Sequence, residues 1–203
     1  MEILSKLFGS EIKVKVMRLF LFNPDTVFEV NNIAERIKED LSKTKKELIG
    51  LEKISLIKKK ILEKISVKKG RKTDTRITSY GYSLHKNFSY LSQLQHFLIN
   101  SKPLQPKEII KKIMQLGAIK LVVISGVFIQ DSESRVDLLI VGDGIKKTQL
   151  ENMIATLEAE IGKELVYAYF TTTDFMYRLS MYDKLIRDIL DYPHEKVINK
   201  LGL

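Results

Sequence analysis

Two of the four prolines in this 203-residue chain lie three positions apart, in the segment Ser101-Lys-Pro103-Leu-Gln-Pro106. Because proline fixes φ and has no amide hydrogen, a regular helix or central strand does not continue through such a segment. The segment is therefore the clearest predicted domain boundary. A chain of this length can form two small domains. We expect an α+β protein with a first domain over residues 1–82, a helix over 83–102 and a second domain over 103–203.

The charge of the chain is concentrated on one side of this boundary. The first 82 residues contain 19 Lys/Arg and 11 Asp/Glu, a net charge of +8, whereas the remaining residues have a net charge of +1. A strongly basic module is typical of nucleic-acid-binding domains. A lysine-rich solvated surface is the alternative interpretation.

The composition excludes several classes of site. The chain has no cysteine, which excludes disulfides, Cys-ligated zinc and thiol catalysis. Its three histidines, His85, His96 and His194, are not spaced as a metal pair. No apolar run approaches the roughly 18 residues of a membrane span, and no signal-peptide pattern is present. We expect a cytoplasmic protein with no cofactor and no membrane partner.

Apolar spacing predicts three helices in the first domain. The first covers residues 10–22, has Ser10 as its N-cap and ends at Asn23-Pro24. The second lies near residues 30–37. The third covers 43–54 after a short turn at 40–42. Its start would be capped by Ser42, or by Thr44 with Glu47 in a capping box. Leu48, Leu51 and Ile54 are expected on its inner face.

The hydrophobic period then changes. A strand or strand pair is predicted over residues 56–67, followed by a glycine-centred turn at 68–74 with Gly70 at its tip and a return strand over 75–79. Three helices, the last two joined by a tight turn, followed by a hairpin with a basic tip are the layout of a winged helix-turn-helix. The helix-turn-helix itself would span about residues 30–54.

A winged helix-turn-helix binds double-stranded DNA through the second helix of the motif, here the third predicted helix, and through its wing. Basic residues at those two places are therefore the candidate contacts. We also expect phosphate to be favoured at the start of the third helix. Winged helices that only bind proteins are the alternative. The candidate DNA-binding residues are Lys43, Thr44, Lys45 and Lys46 on the third helix, and Lys68, Lys69, Arg71, Lys72 and Arg76 at or beside the wing.

A further helix is predicted over residues 82–100, with one apolar stripe of Leu84, Phe88, Leu91, Leu94 and Leu98. This stripe has three interpretations: a linker, the seam of a homodimer, or packing against a neighbouring part of the same core.

The second half of the chain alternates between strands and helices, which predicts a small α/β domain. Helices are expected over 107–116, 147–161 and, as one or two helices, 174–190. Strands are expected over 120–129, 135–141 and 164–170. The second of these strands carries one isolated acid, Asp137.

Both halves resemble known families. Leu7-Phe-Gly-Ser10, Leu19-Phe20, Asn23-Pro24 and the run from Tyr82 to Phe88 resemble prokaryotic winged-helix transcriptional regulators. Ser125-Gly126-Val127, Ser134-Arg-Val-Asp137-Leu-Leu-Ile-Val141 and the segment 167–179 resemble minimal nucleotidyltransferase domains of the polymerase-beta superfamily. The resemblance implies a DNA-binding regulator fused to a nucleotidyltransferase-like domain.

The departures from the second family imply that this domain is inactive. Nucleotidyl transfer needs carboxylates that hold divalent metal ions. Where the family has a pair of acids, this chain has Arg135 and Asp137, and Val127 replaces a serine. The strand at 165–170 offers no third acid, and Asp131 and Asp143 are interpreted as turn residues.

An inactive domain of this kind would serve sensing or assembly. Its candidate ligand pocket consists of Gly126, Arg135 and Asp137, with a nucleotide or small anion as the ligand. A domain kept for dimerisation or stability is the alternative. An active nucleotidyltransferase of the toxin–antitoxin type and a winged-helix interaction scaffold are alternatives for the whole protein.

Overall fold

The computed structural model describes residues 2–66, 75–100, 106–131 and 133–203. These residues form a mixed α+β structure of helices and two sheets, as expected. The chain divides into two compact units: Met1–Ile99 with Ala159–Lys163, and Asn100–Glu158 with Glu164–Leu203. None of the helices in the described ranges is long and apolar enough to cross a membrane.

Five of the described α-helices lie within the first unit. They are α1 Glu2–Phe8, α2 Glu11–Phe22, α3 Val30–Arg36, α4 Leu41–Lys53 and α5 Leu91–Gln95. Ser10 caps α2 as predicted, since its hydroxyl accepts a hydrogen bond of 3.2 Å from the Lys13 amide.

The start of α4 differs from the prediction. The N-cap is Asp40, whose carboxylate accepts hydrogen bonds from the amides of Ser42 at 2.9 Å and Lys43 at 3.0 Å. The helix therefore starts two residues earlier than predicted, and neither Ser42 nor Thr44 caps it. The inner face is also narrower than expected: Leu48 and Leu51 are buried, but Ile54, the C-cap, is 56% exposed.

A three-stranded antiparallel sheet of order β1-β3-β2 completes the first unit. Its strands are β1 Phe28–Glu29, β2 Ile57–Ser66 and β3 Thr75–Leu84. The β2–β3 hairpin is paired from Ile57 opposite Leu84 to Ser66 opposite Thr75. The predicted tip at Gly70 lies outside the described residues.

The return strand continues to Leu84, so the helix predicted from residue 82 is wrong in its first part. Regular helix starts only at Leu91, and His96–Asn100 form a π-helical turn. Leu84 and Leu98 are buried in the core of the first unit, and Phe88, Leu91 and Leu94 pack against it. The apolar stripe therefore packs within its own unit, which was the third of its three interpretations.

An arginine is buried in the same unit. Arg18 is 1% exposed, and its guanidinium donates hydrogen bonds to the carbonyls of Leu98 at 3.2 Å and Glu160 at 3.0 Å. The Asn23 side chain donates to the carbonyl of Gly162 at 2.9 Å. These bonds satisfy polar groups whose burial would otherwise be costly.

The second unit is built on a four-stranded sheet of order β6-β5-β4-β7. Its strands are β4 Ala118–Ile124, β5 Leu138–Asp143, β6 Tyr167–Phe170 and β7 Glu195–Asn199. Among the described strand pairs of this sheet, β5–β6 alone is parallel. The other described α-helices are α6 Pro106–Ile113, α7 Lys147–Ile161, α8 Thr172–Ser180 and α9 Lys184–Asp191.

Several bounds in this unit differ from the prediction. The strand predicted over 120–129 ends at Ile124 and is followed by a 3₁₀ turn at Gly126–Phe128. The strand predicted from residue 135 starts at Leu138, so Asp137 comes directly before it. For helix α7, the predicted bounds of 147–161 agree with the structure. Strand β7 was not predicted.

Candidate nucleic-acid interface and ligand pocket

Helix α4 has one buried and one exposed face. Thr44, Leu48 and Leu51 are buried on one side. The other side bounds a shallow depression of about 720 Å³. Its lining residues on α4 follow helical spacing: Leu41, Ser42, Lys45, Lys46, Ile49, Gly50 and Lys53.

The four candidate residues at the start of α4 differ in exposure and in their position around the helix. Lys45 and Lys46 are exposed and line the depression. Lys43 is exposed and does not line it. Thr44 is fully buried, and its hydroxyl donates a hydrogen bond of 2.8 Å to the Asp40 carbonyl. Thr44 is therefore unavailable to a duplex.

The expectation that phosphate is favoured at the start of α4 needs correction. The Asp40 carboxylate already occupies the first amides of the helix and puts a negative charge there. A phosphate would have to displace it. The basic surface of α4 therefore lies along its side, from Lys45 to Lys53.

The candidate residues of the wing lie mostly beyond the described part of the chain. Lys68, Lys69, Arg71 and Lys72 are outside the described residues. Arg76 belongs to β3, where its backbone pairs with Ile65. The hairpin adds three exposed lysines that were not among the predicted contacts, Lys58, Lys59 and Lys60.

Ser42, Ile49 and Lys53 also belong to the exposed face of α4 and were not among the predicted contacts. Their signal was present in the sequence, because residues three and four positions apart share one side of a helix. Counting forward from Lys45 or Lys46 reaches Ile49, and counting on from Ile49 reaches Lys53.

In the second unit, Asp137 is 6% exposed and binds backbone amides with both carboxylate oxygens. Oδ1 accepts a hydrogen bond of 2.7 Å from Val127, and Oδ2 accepts one of 2.9 Å from Val166. The neighbouring Ser125 hydroxyl donates to the Val136 carbonyl at 2.5 Å. Asp137 thus joins the turn after β4 to the chain just before β6.

The structure brings Gly126 and Asp137 together. Gly126 has φ +54°, and a Cβ atom built there would collide with Oδ1 of Asp137. Only glycine fits this close approach without strain. Arg135 takes a different partner, since its Nε lies 3.0 Å from Oδ2 of Asp188.

The two remaining acids occupy different settings. Asp131 accepts hydrogen bonds of 3.0 Å from the Glu133 amide and the Ser134 hydroxyl, as expected of a turn residue. Asp143 instead ends β5 and accepts hydrogen bonds from the hydroxyl of Thr172 at 2.6 Å and from its amide at 2.9 Å. These bonds to Thr172 lower the pKa of Asp143. No group of three His, Asp or Glu in the described part of the chain is placed to hold a metal ion.

No protein-family model, curated protein or solved structure matches this chain. The resemblances to winged-helix regulators and to nucleotidyltransferase domains therefore stay predictions.

Proposed function

We propose that the protein is a DNA-binding transcriptional regulator whose first unit is a winged helix-turn-helix. The observation that carries the proposal is the exposed face of α4. Lys45, Lys46 and Lys53 lie along it, and none of them has an ion-pair partner among the described residues. Unpaired ammonium groups on one side of a helix are suited to phosphate contacts beside a groove.

The surrounding elements support the same proposal. Helices α3 and α4 are separated by only residues 37–40, and the long β2–β3 hairpin follows α4 directly. In a helix-turn-helix the second helix enters the major groove and the wing contacts the flanking backbone. Ser42 on the exposed face adds a hydroxyl suited to base edges or phosphates.

We propose that the second unit is a nucleotidyltransferase-like domain without catalytic activity that serves sensing or assembly. Both oxygens of Asp137 are taken by the amides of Val127 and Val166. To coordinate a metal ion, the Asp137 carboxylate would have to give up these two hydrogen bonds. Arg135, at the position where the family has the first of its two acids, forms an ion pair with Asp188. In assays with labelled nucleoside triphosphates and Mg²⁺ or Mn²⁺, we expect no transfer, and turnover abolished by Asp137→Ala would contradict this.

Fluorescence anisotropy with duplexes from the region upstream of the protein's own gene tests DNA binding. Affinity of the full chain should fall with salt, with a log–log slope of about −0.9 for each phosphate neutralised. Lys45→Gln with Lys46→Gln should weaken binding at least tenfold and make the slope shallower by up to about two. Lys146→Gln with Lys147→Gln, a matched pair in the second unit, should change neither.

The wing is tested in the same assay with Arg71→Ala and Lys72→Ala. Loss of phosphate contacts at the wing should weaken binding to all sequences alike. Loss of contacts from Lys45 or Lys46 to base edges should instead reduce the preference for one sequence by about 1–3 kcal/mol. Binding that does not respond to salt, or that survives the loss of Lys45 and Lys46 unchanged, would overturn the proposal.

A homodimer, which regulators of this kind commonly form on two half-sites, is part of the proposal and is tested by sedimentation.

A further inference from the structure

A cavity of about 320 Å³ lies at the base of the β2–β3 hairpin and shares no lining residue with the depression beside α4. Its walls include Lys58 and Lys60 from β2, Ser83 from β3, and Asp25, His85 and Lys86 from adjoining loops. This volume falls in the range of about 300–1,000 Å³ that is usual for small-ligand sites. Nothing in the proposed function uses this cavity.

Ser83 is the unusual member of the wall. It is 3% exposed, and its hydroxyl has no hydrogen-bond partner among the residues described. A buried hydroxyl without a partner is destabilising, and such groups are rare in folded proteins. A ligand atom that accepts a hydrogen bond from Ser83 would remove this cost.

The strand register places lysines beside this hydroxyl. Lys58 is directly opposite Ser83, and Lys60 is opposite Gly81 two positions along. Paired residues and residues two apart lie on the same face of a hairpin. The two ammonium side chains therefore share a face with Ser83.

The charges of the wall sum to an excess of positive charge. Lys86 forms an ion pair with Asp25, which leaves the charges of Lys58 and Lys60 without a carboxylate in the cavity wall. The Nδ1 atom of His85 donates a hydrogen bond of 3.0 Å to the carbonyl of Ser55, so Nε2 is the ring nitrogen available to another group. A phosphate group, with about −1.5 to −2 charges at pH 7 and several acceptor oxygens, matches this excess.

We propose that this cavity binds a phosphate group, with Ser83 as the buried donor and Lys58 and Lys60 as the charged contacts. The group belongs either to a small phosphorylated molecule or to the backbone of a bound duplex. Both sources present the same chemistry to the cavity.

Isothermal titration of the full chain with inorganic phosphate, in a low-salt buffer without DNA, tests the site. We expect saturable binding that Ser83→Ala weakens at least fivefold and that Lys58→Gln with Lys60→Gln abolishes. Ser83→Ala removes a hydroxyl that has no partner among the described residues, so the variant should keep its melting temperature or raise it. Its loss of binding could not then be attributed to unfolding.

Lys59→Gln is the matched control. Lys59 lies between the two lysines in sequence but points to the other face, where its ammonium is 4.4 Å from the centre of the Tyr80 ring. We expect its phosphate affinity to equal that of the unaltered chain. No saturable phosphate binding, or equal binding by Ser83→Ala, would overturn the proposal.

A second titration, with the chain already bound to a duplex, identifies the source of the phosphate. If inorganic phosphate still binds with the same affinity, the site takes a small phosphorylated molecule. If the duplex blocks phosphate, and Ser83→Ala also weakens duplex binding, the site holds a backbone phosphate. Because the first titration contains no DNA, failure of the DNA-binding proposal would leave this one standing.

Discussion

The backbone amide of Val127 donates a hydrogen bond of 2.7 Å to Oδ1 of Asp137. The same oxygen lies so close to Gly126 that a Cβ atom at that position would collide with it. If the proposed resemblance to nucleotidyltransferase domains holds, Val127 replaces a serine of that family and Asp137 corresponds to one of its metal-binding acids. In this chain the two residues bind each other through main chain and carboxylate. Together with the bond from the Val166 amide, this makes Asp137 a structural clamp, a carboxylate that holds two backbone segments together.

We expect Asp137→Asn to destabilise the second unit by about 1–3 kcal/mol, the usual cost of leaving a buried donor without an acceptor. An asparagine amide can accept from only one of the Val127 and Val166 amides and turns a donor towards the other. Urea denaturation followed by circular dichroism measures the change. Arg135→Ala, which removes the exposed partner of the half-buried Asp188, should cost less, about 1 kcal/mol or below. Equal stability of Asp137→Asn and the unaltered chain would contradict the clamp.

Gly50→Ala should separate stability from DNA binding. Gly50 is in the interior of α4, and a Cβ built there meets no atom within 4 Å. Alanine should therefore stabilise the helix by up to about 1 kcal/mol. Gly50 also lines the depression beside Lys46 and Lys53, so the added methyl group should weaken duplex binding. Thermal melting measures the change in stability, and fluorescence anisotropy measures the change in duplex affinity. A higher melting temperature with unchanged duplex affinity would show that this face of α4 does not contact DNA.

Gly162→Ala should be strongly destabilising. Its φ is +88°, and a Cβ would lie 2.6 Å from both the carbonyl carbon of Arg18 and the amide nitrogen of Leu19. Because backbone atoms cannot move aside cheaply, we expect a loss well above the roughly 1–2 kcal/mol that the left-handed conformation alone costs. Gly9→Ala is the control: its φ is +75°, but a Cβ atom added there would meet no atom within 4 Å. Similar melting temperatures for the two variants would contradict this packing.

Thr172→Val should raise the pKa of Asp143 towards its ordinary value of 3.8. The hydroxyl of Thr172 is the largest influence that lowers this pKa, and the variant keeps only the backbone hydrogen bond. Since the folded-state pKa is depressed, the stabilisation by Asp143 is present above pH 3.8 and is lost as the pH falls through the folded-state value. Carboxyl carbon chemical shifts followed by NMR across the acidic range measure the shift. An unchanged titration would assign the effect to other groups.

Local signals made some elements predictable. Ser10 before an apolar helical pattern identified the start of α2, and continuous helical spacing gave both ends of α7. At α4 three residues able to cap a helix, Asp40, Ser42 and Thr44, lie within five positions. Only the backbone geometry shows that Asp40 is used.

Long-range pairing explains what sequence reasoning missed. Leu84 fits both a helical stripe with Phe88 and the alternation of a strand, and its pairing with Ile57 decides for the strand. Strand β7 is short and contains only two apolar residues, and it forms because β4, more than 70 positions earlier, offers it a free edge. The use of both Asp137 oxygens depends on Val166, which is 29 residues away.

The first unit draws on two distant stretches of the polypeptide, and this limits how the protein can be dissected. Arg18 and Asn23 donate to the carbonyls of Glu160 and Gly162, which are 142 and 139 residues further along the chain. A fragment cut at the proline-rich segment would keep the buried guanidinium but lose one of its acceptors. The sequence alone suggests that segment as the place to divide the chain. A truncation, tag insertion or domain exchange there would nevertheless destabilise the first unit, because it separates residues 159–163 from the rest of that unit.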